Sequence, residues 1–189
     1  MSRQFTVMVS AGTYHLPFER LGNWIGQWAR KNPGVKVIYQ HGPGTPIEGA
    51  DNRVILPVDE LMDLFSSADA VVLQGGAGGV MDLRALQRIP MVVPRRPELN
   101  EVVDTHQLLF TDQASKLGLI HRADDAQTLF GLLDQAVQGL LPTRSRASER
   151  TEGITNGLAV LDVLPEAIGW STTLRRMTRS IVPILRSIR

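Results

Sequence analysis

The strongest constraint on this chain's fold lies at Ala70-Val71-Val72-Leu73, an unbroken apolar run that passes straight into Gln74-Gly75-Gly76-Ala77-Gly78-Gly79. A short apolar run ended by glycines reads as a strand buried on both faces. The segment that follows, Val80 to Arg88, reads as a helix. A buried strand, a glycine turn and a helix N-terminus in that order form a cradle for an anion. Bare N–H groups and the positive end of the helix dipole face the ligand, and glycine lets the backbone come close. The spacing is neither the G-x-G-x-x-G of dinucleotide sites nor the Walker G-x-x-x-x-G-K-S/T, so both of those readings lose ground.

The rest of the first 140 residues alternates in the same way. Phe5 to Val9 reads as a strand, ended by Ser10-Ala11-Gly12-Thr13. From Pro17 to Lys31, Phe18, Leu21, Ile25 and Trp28 recur at helical spacing, and Asn32-Pro33-Gly34 stops the helix. Val35 to Tyr39 is expected as a second strand and Val54-Ile55-Leu56 as a third, with a helix from Asp59 to Ser66 between the third and fourth strands. Met91 to Val93 is a fifth strand, Thr105 to Lys116 a helix, Leu119-Ile120 a further strand and Asp125 to Gly139 a last helix. Short apolar strands separated by helices predict an α/β, Rossmann-like parallel sheet with helices on both faces. Ligands of such sheets bind beyond the C-terminal strand ends. That rule gathers Gly12-Thr13, the Gln74–Gly79 loop and the loop after Val93 into one site.

Composition narrows the options further. The chain has 189 residues, 43% of them apolar, which suffices for a real core, and it has no cysteine for disulfide or thiolate chemistry. No secretory leader is expected from the polar first residues, and no apolar stretch is long enough to span a bilayer. Residues 1–140 carry 12 basic and 15 acidic side chains, whereas residues 141–189 carry 8 arginines and 4 acids. That bias is too small for a nucleic-acid reader, and no aromatic-basic platform accompanies it.

The motifs resemble a known family. Val7-Met8-Val9-Ser10-Ala11-Gly12-Thr13, followed by Pro17-Phe18-Glu19-Arg20-Leu21, is similar to the start of the C-terminal domain of glycosyltransferase family 28. So are Ala68-Asp69-Ala70-Val71-Val72 with its glycine loop, Met81-Asp82, Ile89-Pro90-Met91-Val92-Val93-Pro94-Arg95, and Glu101-Val102-Val103-Asp104-Thr105-His106-Gln107. The likeness covers roughly residues 5–140. The family includes the bacterial enzyme that makes lipid II, and split enzymes of dolichol-linked and bacterial polysaccharide assembly. In the split enzymes a small donor-binding protein pairs with a membrane-attached half that holds the lipid acceptor. The resemblance thus implies one GT-B C-terminal half at residues 1–140, binding a UDP-sugar.

By the same resemblance, Gly75, Gly76 and Gly78, with Gln74 and Ala77 in the same loop, would admit the diphosphate, and Gly12 and Thr13 would line it from the opposite strand end. Asp82 matches the acidic residue that contacts the uridine ribose, although an acid near a helix start also suits the dipole. Gln107, after His106, matches a position that contacts the donor sugar or phosphate. Arg95 follows the fifth strand to the site edge, where it either binds an acidic group or simply lies at the surface. Two positions depart from the pattern. Gln74 stands where the family usually has histidine, and Gly79 where it has Ser or Thr. An amide donates only neutral hydrogen bonds to a diphosphate.

The mechanism implied is an inverting displacement at the anomeric carbon, with backbone donors stabilising the departing diphosphate. No Asp-x-Asp pair is present, and neither a metal nor a cofactor is expected. His15 is the only local candidate for general base. In the split enzymes that group is expected on the partner. The segment 141–189 reads as a polar linker followed by an amphipathic basic stretch. From Trp170 onward it has five arginines and no acid, a pattern suited to docking on a partner or an anionic membrane face. The partners expected are a membrane-attached acceptor-binding subunit, a UDP-sugar and a lipid-linked acceptor, at the cytoplasmic side of a membrane. A non-catalytic scaffold of the same fold, stabilising a membrane partner, is the alternative. A sugar-nucleotide epimerase or another nucleotide-binding enzyme is a weaker third reading, because neither Tyr14 nor Tyr39 starts a Tyr-x-x-x-Lys pair.

Overall fold

The computed structural model describes residues 3–145. The docking segment expected within residues 141–189 lies almost wholly outside them.

The described chain alternates strand and helix throughout. In order these are β1 (Thr6–Ser10), α1 (Glu19–Lys31), β2 (Lys36–Gln40), β3 (Asp51–Arg53), α2 (Val58–Ser67), β4 (Ala70–Gln74), α3 (Ala77–Ala85), β5 (Met91–Val93), α4 (His106–Lys116), β6 (His121–Arg122) and α5 (Ala126–Val137). The strands form one six-stranded sheet in the order β3-β2-β1-β4-β5-β6, and every pairing is parallel. Side chains alternate across it. Val7, Val9, Val72 and Met91 pack with α1 and α5 residues such as Ile25, Trp28 and Leu129, whereas Met8, Val71, Leu73 and Val92 pack with Phe65, Leu83 and Phe110 from α2, α3 and α4. Both faces are covered, which is why the central strands read as continuous apolar runs rather than alternating ones.

Local chemistry sets several ends. The Asp125 carboxylate accepts the Thr128 N–H at 2.7 Å and caps α5, which lowers its pKa. Trp28 Nε1 donates to Asp134 at 2.7 Å and clips α1 to α5.

Three elements fall elsewhere than the apolar pattern predicts. The third strand is Asp51–Arg53, not Val54-Ile55-Leu56, and Val54 and Ile55 are 60% and 62% exposed. It is an edge strand, so its pairing needs only the backbone of β2, and its residues need no apolar character. Leu119 and Ile120 are buried beneath α4 as a lead-in, while the next two residues pair with Met91 and Val92. The helix after the glycine loop starts at Ala77 rather than Val80. Its first turn therefore absorbs Gly78 and Gly79, and Asp82 lies beyond that turn.

Candidate functional site

In this sheet β1 and β4 are neighbours, while the chain leaves β1 for β2 on one side and β4 for β5 on the other. This is the switch point, where the loops diverge and leave a crevice. The loop after β1 carries Gly12 and Thr13, and the loop after β4 carries Gln74 to Gly76 and opens α3. A third wall comes from Pro94 to Thr105, between β5 and α4.

The β4 loop is glycine-rich for several distinct reasons. A side chain on Gly75 would meet Thr111 Cγ2 and the Gln107 side chain at 3.0–3.1 Å, so this glycine lets the loop lie against α4. One on Gly76 would overlap the Gln74 amide, whereas Gly78 has nothing within 4 Å of its would-be Cβ. Gly76 is the N-cap of α3 and no side chain caps the helix. The N-terminus of α3, with Ala77 and Gly78 in its first turn, thus combines an open face with the positive end of the dipole.

The opposite wall is held tightly. Gly12 has φ of +78°, a conformation open to glycine, and its N–H donates to Ser10 Oγ at 3.2 Å. Ser10 Oγ also accepts from Gln40 Nε2 at 3.1 Å, which joins the ends of β1 and β2. The carbonyl of Ala11 accepts from Arg95 Nη2 at 2.9 Å, while Arg95 Nη1 donates to the carbonyls of Leu16, Pro17 and Glu101 at 2.8–3.2 Å. Arg95 is only 1% exposed and lies over the Phe18 ring. Burial lowers its pKa, partly opposed by Glu101. Beside it, Arg20 Nε and Nη2 donate to the two Glu101 carboxylate oxygens at 2.8 and 2.7 Å, and Nη2 donates to the Pro94 carbonyl at 2.8 Å. Glu101 Oε2 accepts the Arg96 N–H at 2.9 Å. Arg95, Arg20 and Glu101 together fasten the β1 loop to the β5–α4 segment.

The expected site residues divide accordingly. Gly12, Gln74 and Gly76 meet directly, because the Gln74 side chain fills the space that side chains at the two glycines would take. Gln107 joins them from α4. It packs on Gly75, and its Oε1 accepts the Arg95 N–H at 3.1 Å. Thr13 and His15 are exposed, and the His15 ring is tilted against Tyr14 with centroids 4.4 Å apart. His106 opens α4 with its Nδ1 3.4 Å from Asp104 Oδ2. Asp82 is exposed on α3, yet partial loss of water around its carboxyl raises its pKa. The Arg95 guanidinium binds backbone carbonyls and is enclosed. Among the described residues, no group of three or more His, Cys, Asp or Glu is placed to hold a metal ion.

Sequence reasoning missed Arg20 and Glu101 as partners. One local signal existed: a cation in the first turn of α1 opposes the helix dipole, which marks a side chain held by something outside the helix.

No family model and no curated protein matches the sequence. Solved structures do match. The glycotransferase of kitacinnamycin is 15% identical over 82% of this chain and 40% of its own, with a TM-score of 0.54. MurG of Acinetobacter baumannii is 15% identical over 87% of this chain and 49% of its own, also with a TM-score of 0.54. The chain spans less than half the length of either. It therefore has the α/β, Rossmann-like fold found in glycosyltransferases, in a length that corresponds to part of each such enzyme.

Proposed function

We propose that this chain is the donor-binding half of an inverting glycosyltransferase. It takes a sugar from a UDP-sugar and, with a membrane-attached partner subunit, delivers it to a lipid-linked acceptor. The observation that carries the reading is the uncapped, open N-terminus of α3 facing the Gly12 loop across the switch point, in a fold shared with glycosyltransferases.

The diphosphate sits against the first turn of α3 in this reading, with Gly78 giving it room. As the anomeric bond breaks, negative charge gathers on the diphosphate, and fixed backbone donors with the helix dipole stabilise it. Asp82 accepts hydrogen bonds from the ribose hydroxyls. Gln107, held by the Arg95 N–H, and neighbouring His106 border the donor sugar, while Thr13 closes the opposite side. The acceptor proton goes to a base on the partner subunit, with His15 the group this chain offers. No helix among the described residues is long and apolar enough to cross a membrane, and the partner supplies the attachment at the cytoplasmic face.

Calorimetry with UDP and a panel of UDP-sugars, beside the Asp82→Ala variant, tests the reading. Binding by the wild type that the variant loses supports it, and preference within the panel identifies the sugar. If neither UDP nor any panel member binds, alone or with the partner co-expressed, the reading falls.

A further inference from the structure

The Gln74 carboxamide lies between the two glycine loops of the crevice. A Cβ on Gly12 would come within 3.1 Å of its Cγ and Nε2, and one on Gly76 would overlap its Nε2. A side chain at either glycine would therefore crowd this amide. The amide gains little polar contact there, because its Oε1 is buried without a hydrogen-bond partner among the described residues. A buried polar atom without a partner is unfavourable, so the wedged position is held by shape and opposed by chemistry. An amide turned outward, with both ends in water or on a ligand, escapes that cost.

We infer that Gln74 is a shutter on the anion cradle: its amide closes the gap between Gly12 and Gly76 in the free protein and swings out when a diphosphate enters. The inference rests on the donor-site reading above and adds a conformational step to it. Affinity is then reduced by the fraction of molecules with the shutter open.

The test is UDP binding by the full chain, followed by calorimetry and stopped-flow fluorescence, for wild type, Gln74→Ala and Gln74→Met. Alanine removes the wedge and should bind UDP about tenfold tighter, the gain expected where the closed form holds roughly nine molecules in ten. The gain should appear in the association rate. Methionine keeps the volume but has no orphaned polar atom. It should favour the closed form, melting higher and binding UDP more weakly than wild type. A residue that only supports the fold would not shift affinity in opposite directions in the two variants. If both variants bind more weakly, Gln74 is a direct donor to the ligand and the shutter is overturned; if neither differs from wild type, it is also overturned. Binding by Gln74→Ala where wild type shows none supports it. No binding by any of the three, alone or with the partner co-expressed, overturns the donor-site reading on which it rests.

Discussion

Two of the crevice's walls, those built on the β1 and β4 loops, follow opposite principles. On the β1 side the backbone is fixed by charge: Arg95 gathers four carbonyl oxygens, and the partly buried Arg20 forms a bidentate pair with the buried Glu101. On the β4 side polar ties are few, and the wall is shaped by absence, with glycines at 75, 76, 78 and 79. One wall is rigid and supplies reference geometry. The other is permissive and offers backbone donors. For the donor site proposed above, that division would suit gripping an anion in the transition state and then releasing the product.

The contrast is most easily broken on the rigid side. Glu101→Ala leaves the partly buried Arg20 without its carboxylate and should cost on the order of 3–5 kcal/mol in urea unfolding. UDP binding should fall with it, because the β5–α4 segment no longer anchors the Gly12 loop. A small stability change would show that the wall is held by other contacts. On the permissive side the signs should separate. Gly78→Ala places a methyl in open space, so the helix should gain about 0.5 kcal/mol of stability. UDP affinity should drop roughly tenfold, the worth of one charge-assisted hydrogen bond. Equal affinity would move the ligand away from α3.

A smaller effect concerns charge at the shutter. Gln74→His places a group with an ordinary pKa near 6.5 beside the cradle. Affinity for a UDP-sugar, whose diphosphate is esterified at both ends and does not titrate there, should then rise as pH falls through that value, whereas the wild type should be flat; a flat profile in both would place the side chain away from the diphosphate. The smallest effect lies outside both walls. The Asp125 carboxyl is held below its ordinary pKa by the Thr128 N–H, so its stabilising cap is present above the unfolded-state pKa and lost as pH falls through the folded one. Asp125→Ala should melt lower than wild type at neutral pH, the difference should vanish in acid, and UDP binding should be unchanged at neutral pH.

The same contrast explains what could be read from the sequence. The permissive wall was legible because its information is local. An apolar run, a glycine turn and a helix follow one another within Ala70 to Ala85, and the order of strands and helices places the Gly12 loop opposite. The rigid wall was not, because its partners are far apart in the chain: Arg20 meets Glu101 across 81 positions and Arg95 meets Ala11 across 84. Arg95 reads locally as a basic residue after a strand, and only the fold reveals that its guanidinium faces inward. Asp51–Arg53 escaped for another reason. An edge strand is defined by its neighbour's hydrogen bonds, and its own side chains carry no pattern. Gln74 stood out as a departure, but that it fills the space beside Gly12 and Gly76 depends on three-dimensional placement.

The position of β1 in the sheet has a consequence for synthesis. Val7 pairs with Val37 on one side and with Ala70 on the other. A chain emerging from the ribosome can lay β2 against β1 early, but the second edge of β1 stays bare until β4 has been made. Through that interval an apolar strand offers unpaired N–H and C=O groups along one side, a surface open to pairing with another nascent chain. The strand at the centre of the finished sheet is thus the strand most exposed to misassembly while the protein is being made.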